Sequence, residues 1–274
     1  MKNLEDRWTD FAAIFFLIAV QWCAVSRLVA TTWSDDLGII RLLALIGIML
    51  GLVFGYSKFK SGTSFWMITI YSIIIIPWQF QSTLPKDIRL SERLLSLWGR
   101  FAISSSEFFH NKPVQDPILF LVFMAVLFWI TGVLNGFHFV RSGKPWIPLG
   151  ITAITALVIE YYDLTESIHS LYIFFFLFFL LLLIGRVYHV QLKKEWKHQQ
   201  VKPDSEFGFY MGRTIAIGGF ILILIAWNMP GLINTFSDYQ SVKSSVFSTW
   251  EEIRDRLSNA FTSLGNRPHL VALV

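Results

Sequence analysis

The chain has 274 residues, of which 54% are hydrophobic, 16% aromatic and only 15% charged, and its mean hydropathy is +0.53. Soluble domains carry roughly 25% charged residues, so this composition excludes an ordinary soluble protein and predicts a polytopic helical membrane protein. The net charge of +4 does not indicate nucleic-acid binding, because the basic residues lie between apolar segments, where they orient a chain in a membrane.

In chain order, the apolar residues predict seven membrane-spanning helices. The first follows a segment with both charge signs and has no A-x-A-like cleavage site behind it, so we interpret it as a retained anchor rather than a signal peptide. Each stretch is long enough to cross a bilayer, which takes about 17 to 25 residues. The predicted spans are 11–29, 38–56, 63–81, 117–140, 145–161, 168–188 and 214–234.

Two further segments have the apolar period of an amphipathic helix but are too polar to span. The first, 86–109, repeats Leu and aromatic residues at steps of three and four, and either lies on the outer leaflet or covers the top of the bundle. The second repeats the pattern over 241–264. The chain then ends in the apolar pentapeptide Leu270–Val274, which either packs against the bundle or opens a soluble domain that is cut short. We prefer the second interpretation.

The predicted fold is therefore an all-α polytopic membrane helical bundle, with about seven transmembrane helices and two amphipathic surface helices. We divide it into a seven-span bundle over 1–234 and, over 235–274, an extracytoplasmic helix with the start of a soluble domain.

The distribution of Lys and Arg predicts the orientation. With the N-terminus in the cytoplasm, twelve of the 23 basic residues lie inside, nine lie outside and two lie within spans. The short outer turns, around Asp35–Asp36 and Glu160–Glu166, hold none. Short loops determine orientation best, so we predict an inside N-terminus and an outside C-terminus. Arg27 and Arg41 lie near the outer ends of the first two spans, where they can snorkel, and Arg41 is within helical reach of the Asp35–Asp36 turn. A structural ion pair is favoured over a functional one.

The sequence shows little catalytic chemistry. The mid-membrane polar residues are neutral, namely Gln21 and Asn228, whereas ion-coupled transporters keep an ionisable group at this depth. The single cysteine, Cys23, cannot form an internal disulfide or a Cys-based metal site, and no His or Asp is evident at its depth. We predict no catalytic, cofactor-binding or metal-binding residue in this chain.

One polar cluster stands out at the predicted outer mouth between spans five and six. It consists of Glu160, Tyr161, Tyr162 and Asp163, followed by Glu166 and His169. These acids, phenols and imidazole could bind a cation or orient an extracytoplasmic partner. The alternative is an aromatic interface belt beside a solvated acidic turn.

Several strings, in this order and spacing, are similar to those of a known family. They are Ile76-Pro77-Trp78-Gln79, Thr83-Leu84-Pro85, Leu97-Trp98-Gly99-Arg100, Asp116-Pro117-Ile118-Leu119-Phe120, Glu160-Tyr161-Tyr162-Asp163 and Trp250-Glu251-Glu252-Ile253-Arg254-Asp255-Arg256-Leu257. Together they resemble the N-terminal membrane region of bacterial transglutaminase-like membrane proteins, in which a multi-span bundle precedes an extracytoplasmic domain of papain-like fold. The family's Cys, His and Asp triad belongs to that soluble domain, and no residue here matches it, Cys23 included.

The resemblance implies a membrane anchor and scaffold in the bacterial cytoplasmic membrane. Its partners would be the lipid bilayer and a downstream extracytoplasmic domain or envelope protein. The complete protein would be a thiol hydrolase or acyl transferase that acts on peptides or cell-envelope material. The alternative is a self-sufficient membrane protein that handles a small solute or lipid at the mouth between spans five and six.

Overall fold

The computed structural model describes residues 10–31, 33–84, 89–110, 112, 114, 116–163, 171–199 and 207–228. These residues form eight α-helices and, among themselves, no β-strand, which confirms the predicted all-α bundle. The helices are α1 Phe11–Ala30, α2 Gly38–Tyr56, α3 Ser61–Phe80, α4 Leu90–Phe109, α5 Ile118–Ser142, α6 Trp146–Tyr162, α7 Leu171–His198 and α8 Phe207–Asn228.

A helix lies at each of the seven predicted spans, and α4 is the predicted amphipathic helix. Five segments are long and apolar enough to cross a membrane, namely α1, α2, α3, α5 and Leu171–Lys193 of α7, and α6 is a shorter apolar helix. Among the described helices, two bounds differ from prediction by seven residues or more. Helix α7 runs ten residues past 188, because the Lys, Glu and Gln residues there are good helix formers, and α8 begins seven residues before 214. The region 235–274, with its predicted helix, lies outside the described residues.

Local chemistry sets several helix ends. The carboxylate of Asp10 accepts a hydrogen bond from the Ala13 amide (2.9 Å) at the start of α1, and Asp116 accepts from the Ile118 amide (3.0 Å) at the start of α5. Such caps satisfy amide groups that have no partner within the helix. Helix α5 is capped by Gly143, whose φ of 65° is the left-handed conformation that favours glycine. The chain can therefore turn sharply into α6.

A glycine seam joins α2 to α5, which form the most extensive helix pair in the bundle. A Cβ atom on Gly51 would lie 2.2 Å from the Val133 carbonyl oxygen, and one on Gly136 would lie 2.6 Å from that of Ile48. The two backbones are therefore in direct contact, as small residues permit between membrane helices. The seam consists of Gly47, Gly51 and Gly55 on α2 and Gly132 and Gly136 on α5. Its four-residue spacing is visible in the sequence, but the contact between α2 and α5 was not predicted from it.

Ion pairs between helices show in which direction each helix runs through the bundle. Asp10, before α1, pairs with Arg186 in the second half of α7 (2.8 Å), and Arg27 near the end of α1 pairs with Asp163 after α6 (2.7 Å). Helix α1 thus runs antiparallel to α7 and parallel to α6. The end of the bundle that holds Arg27 and Asp163 is named the Arg27 end, and the opposite end, which holds the turn between α5 and α6, is named the Arg141 end.

Candidate functional site

A buried charged triad ties α1 to α6 at the Arg27 end. The Arg27 guanidinium donates through Nη1 to Asp163 Oδ2 (2.7 Å) and through Nε to Glu160. The side chains of Arg27 and Asp163 are only 1% and 2% exposed, whereas Glu160 is half-buried. A buried charge is costly unless it is paired and hydrogen-bonded, and here the guanidinium is paired with two carboxylates. The Arg27 side chain therefore stays within the bundle instead of reaching out of it, because its partners lie inside the protein.

The triad accounts for two residues of the predicted polar cluster. Glu160 and Asp163 come together because they are three residues apart at the end of α6, so that both reach the same guanidinium. Tyr161 points away and is 70% exposed, with its ring centroid 5.3 Å from that of the half-buried Tyr162. Glu166 and His169 lie outside the described residues. The cation that the two acids hold in this structure is thus a residue of the protein itself, Arg27.

Arg41 has a different partner from the predicted acidic turn. Its guanidinium carbon lies 5.3 Å from the centre of the Trp22 ring, within the range of a cation–π contact. Among the described residues, no ion pair joins Arg41 to Asp36. The aromatic side chain of α1 therefore positions the first turn of α2.

A neutral polar network joins α1, α5 and α6 deeper in the bundle. Gln21 Nε2 donates to the Phe128 carbonyl (3.1 Å), and Gln21 Oε1 accepts from Asn135 Nδ2 (3.3 Å) and from the Thr152 hydroxyl (3.5 Å). Thr131 also lies against Gln21 Nε2 (3.5 Å). All four side chains are buried. In lipid, a polar group without a partner is expensive, so these groups hold the three helices in register.

Gln21 was singled out in the sequence, whereas the three side chains that contact it were not. Thr131 and Asn135 are four residues apart, which places them on one face of α5, and Thr152 lies in the second turn of α6. The four-residue spacing on α5 can be recognised in the sequence. The sequence does not show that residues of α1, α5 and α6 lie at the same depth in the bundle. Asn228, the other predicted mid-depth polar residue, is the last residue of α8.

Cys23 is buried within α1, two residues after Gln21. Among the described residues, no group of three or more His, Cys, Asp and Glu side chains could hold a metal ion. The chemistry visible in this part of the chain is the joining of helices by hydrogen bonds and ion pairs.

Two more arginines fix the connections between helices. At the Arg141 end, Arg141 donates to the Phe59 carbonyl (2.6 Å) and to the Ser61 hydroxyl (2.9 Å), so the end of α5 holds the turn between α2 and α3. At the Arg27 end, Arg100 of α4 makes a two-point contact with Asp116, with distances of 2.6 Å and 2.8 Å. Bidentate arginine–carboxylate pairs fix orientation as well as distance.

The two capping aspartates are tuned by their arginines. Burial raises the pKa of Asp116, but the Arg100 hydrogen bonds and the Ile118 amide outweigh it, so that this pKa is held below its usual 3.8. Burial likewise raises the pKa of Asp10. The hydrogen bonds that the carboxylate accepts from Arg186 and from the Ala13 amide outweigh this effect, so the pKa of Asp10 is lowered overall. Both carboxylates are therefore ionised at neutral pH, as their ion pairs require.

The fold and these polar contacts define the class. Several apolar helices of membrane-crossing length, with charged residues gathered at the two ends of the bundle, make this chain a multi-pass membrane protein. No protein family matches the sequence, and no curated protein or solved structure is significantly similar to it. The likeness to transglutaminase-like membrane proteins therefore stays a prediction from the sequence.

Proposed function

We propose that this chain is the membrane anchor and scaffold region of a transglutaminase-like enzyme of the bacterial cytoplasmic membrane. The extracytoplasmic enzyme domain, of papain-like fold, would act on peptides or cell-envelope material. The proposal rests on the resemblance in the sequence. One structural observation supports it. Buried polar contacts of Gln21 tie α1 to α5 and α6, and those of Arg27 tie α1 to the end of α6. This is what a rigid support needs.

Charge at the two ends supports seven crossings with the N-terminus inside and the C-terminus outside. The described residues of the Arg141 end include nine basic residues and two acidic ones, whereas the Arg27 end has six basic and seven acidic. Basic residues concentrate on the cytoplasmic side of membrane proteins, which favours an inside Arg141 end. At the Arg141 end the residues are Lys58, Lys60, Arg141, Lys144, Arg186, Lys193, Lys194, Lys197 and Arg213, with Asp10 and Glu195.

Reporter fusions test this topology. Fusions after Lys60, Lys144 and Lys194 should report a cytoplasmic location, and a fusion after Asp238 should report an extracytoplasmic one. A cytoplasmic reporter at Asp238 would refute both the seven crossings and the anchor, because an extracytoplasmic enzyme could not follow.

The reading frame beyond residue 274 tests the enzyme itself. The proposal expects a downstream soluble domain that carries Cys, then His, then Asp, and whose thiol reacts with a cysteine-directed probe. A Cys23→Ala variant of that complete protein should keep its activity, since the nucleophile lies in the soluble domain. A stop codon directly after Val274 would overturn the proposal.

The alternative is a self-sufficient protein that handles a small solute or lipid at the Arg27 end. The exposed Tyr161 beside the half-buried Glu160 favours it, since part of the cluster is open to the surroundings. Against it, Arg27 already holds the carboxylates of both acids. A complete reading frame without a soluble domain would favour this alternative.

A further inference from the structure

Helix α4 has three different faces. Leu97 and Ser104 are buried against the bundle, with Arg93, Arg100 and Glu107 half-buried on the same side. A second face exposes Leu94, Leu95, Trp98 and Phe109, which are 42%, 72%, 69% and 80% exposed. The third face exposes Glu92, Ser96 and Ser106, with one apolar residue among them, Ile103, which is 63% exposed. At about 100° of rotation per residue, these sets follow one another around the axis.

This arrangement differs from that of a surface helix in water. Such a helix turns its apolar stripe toward the core and its polar residues outward, whereas the bundle face of α4 contains an ion-paired arginine and a buried serine. Whereas Phe101 and Phe108 are half-buried, other large apolar side chains point away from the protein, Trp98 and Phe109 among them. In water they would form an exposed apolar patch of the kind that drives association, so the medium beside this face is apolar.

The position of α4 identifies that medium. The helix packs against the short 3-10 turn Gln81–Thr83 that ends α3 and against α5, and the Arg100–Asp116 pair fixes it to the cap of α5. It therefore lies at the depth where two apolar helices enter or leave the membrane. The last turns of α3 expose Ile73, Ile74 and Trp78, so a lipid-facing surface leads directly to α4.

We propose that the face of α4 formed by Leu94, Leu95, Trp98 and Phe109, named the lipid face, is inserted among the lipids at the boundary between headgroups and acyl chains. The face with Glu92, Ser96 and Ser106 meets water, and the face with Leu97 and Ser104 meets the bundle. Tryptophan favours this boundary, because its ring is apolar and its N–H is polar. The sequence left two positions open for this helix, on the leaflet or over the bundle, and the three faces allow both contacts at once. This inference needs only a membrane, and does not depend on an attached enzyme.

Site-directed spin labelling tests the lipid face. The full chain, with Cys23→Ala, would be reconstituted in vesicles of phosphatidylcholine and phosphatidylglycerol, with a nitroxide at Leu95→Cys or Trp98→Cys. Matched controls on the water face are Ser96→Cys and Glu92→Cys. Labels on the lipid face should be relaxed more by oxygen, which concentrates in lipid, than by a water-soluble nickel chelate, and the controls should show the reverse.

Three outcomes would overturn the proposal. Labels at positions 95 and 98 that are as accessible to the chelate as the label at position 96 would place the face in water. Labels that neither reagent reaches would indicate a protein cover, by a second copy if their spectra show dipolar broadening and by another segment if they do not.

A second measurement leaves Cys23 in place. Brominated lipids quench tryptophan fluorescence on contact, so the chain with Trp98→Phe should lose a strongly quenched component compared with the unmodified chain. Equal quenched fractions in the two chains would contradict contact between Trp98 and lipid.

Discussion

Substitution of Gly51 by alanine tests the glycine seam. The added Cβ would lie 2.2 Å from the Val133 carbonyl oxygen, at least 1.2 Å short of an ordinary contact of 3.4 Å. The obstructing atoms belong to the backbone of α5, so no rotamer change relieves the clash. Helices α2 and α5 must separate.

The matched control is Gly150→Ala in the interior of α6, where a Cβ would meet nothing within 4 Å. Both substitutions gain about 1 kcal/mol of helix propensity. Overpacking of a well-packed interface costs about 1–3 kcal/mol, and the backbone obstruction favours the upper part of that range. The free energy of unfolding of Gly51→Ala should therefore fall about 2–3 kcal/mol below that of Gly150→Ala.

The lone cysteine provides the assay. Cys23 is buried, so a coumarin maleimide becomes fluorescent only when heating in detergent exposes the thiol. Gly51→Ala should melt at a lower temperature than the unmodified chain, and Gly150→Ala at the same temperature or higher. Equal melting temperatures for the two variants would refute the close approach of α2 and α5.

The same assay tests the polar contacts. Arg27→Leu removes a cation that binds two carboxylates in a buried site and should cost about 3–5 kcal/mol. A variant as stable as the unmodified chain would contradict a buried triad. Gln21→Leu keeps the volume but removes the interhelical hydrogen bonds, and should cost about 0.5–2 kcal/mol, an expectation that fails if the variant gains stability. Arg100→Gln should lose up to about 1 kcal/mol, since this pair is partly exposed. The folded pKa of Asp116 is lowered below 3.8, so the pair stabilises above that pH, and the difference between Arg100→Gln and the unmodified chain should shrink as the pH falls below 3.8. A difference that does not change with pH would show that Asp116 is not held by Arg100.

The helices were predictable because their signal is local. Apolar runs of membrane-crossing length located every described span, and the three- and four-residue period located α4. Errors occurred where helix continuation depended on polar residues with good helix propensity, as in the Lys- and Gln-containing end of α7. A hydropathy pattern measures burial in lipid, and it does not record where a backbone stops being helical.

The site was harder to predict because its contacts are not local. Glu160 and Asp163 could be singled out as an acidic pair, but the residue that holds them, Arg27, is 133 and 136 positions away. The sequence gives no depth for Arg27, so snorkelling was the natural expectation for an arginine near a span end. The partners of Gln21 were missed for the same reason: two threonines and an asparagine acquire meaning only when three helices align.

The long sequence separation within the triad has a consequence for biogenesis. Arg27 is synthesised 133 residues before Glu160, which at about 5–20 residues per second is an interval of roughly 7–27 s. During this interval the first span carries an arginine whose carboxylate partners do not yet exist, and an isolated charge is costly within lipid. Until α6 arrives, the headgroups or the insertion machinery can solvate the guanidinium. The ion pairs that tie α1 to α6 therefore form only after most of the bundle has been made, so the first helix to be synthesised is among the last to gain its full set of contacts.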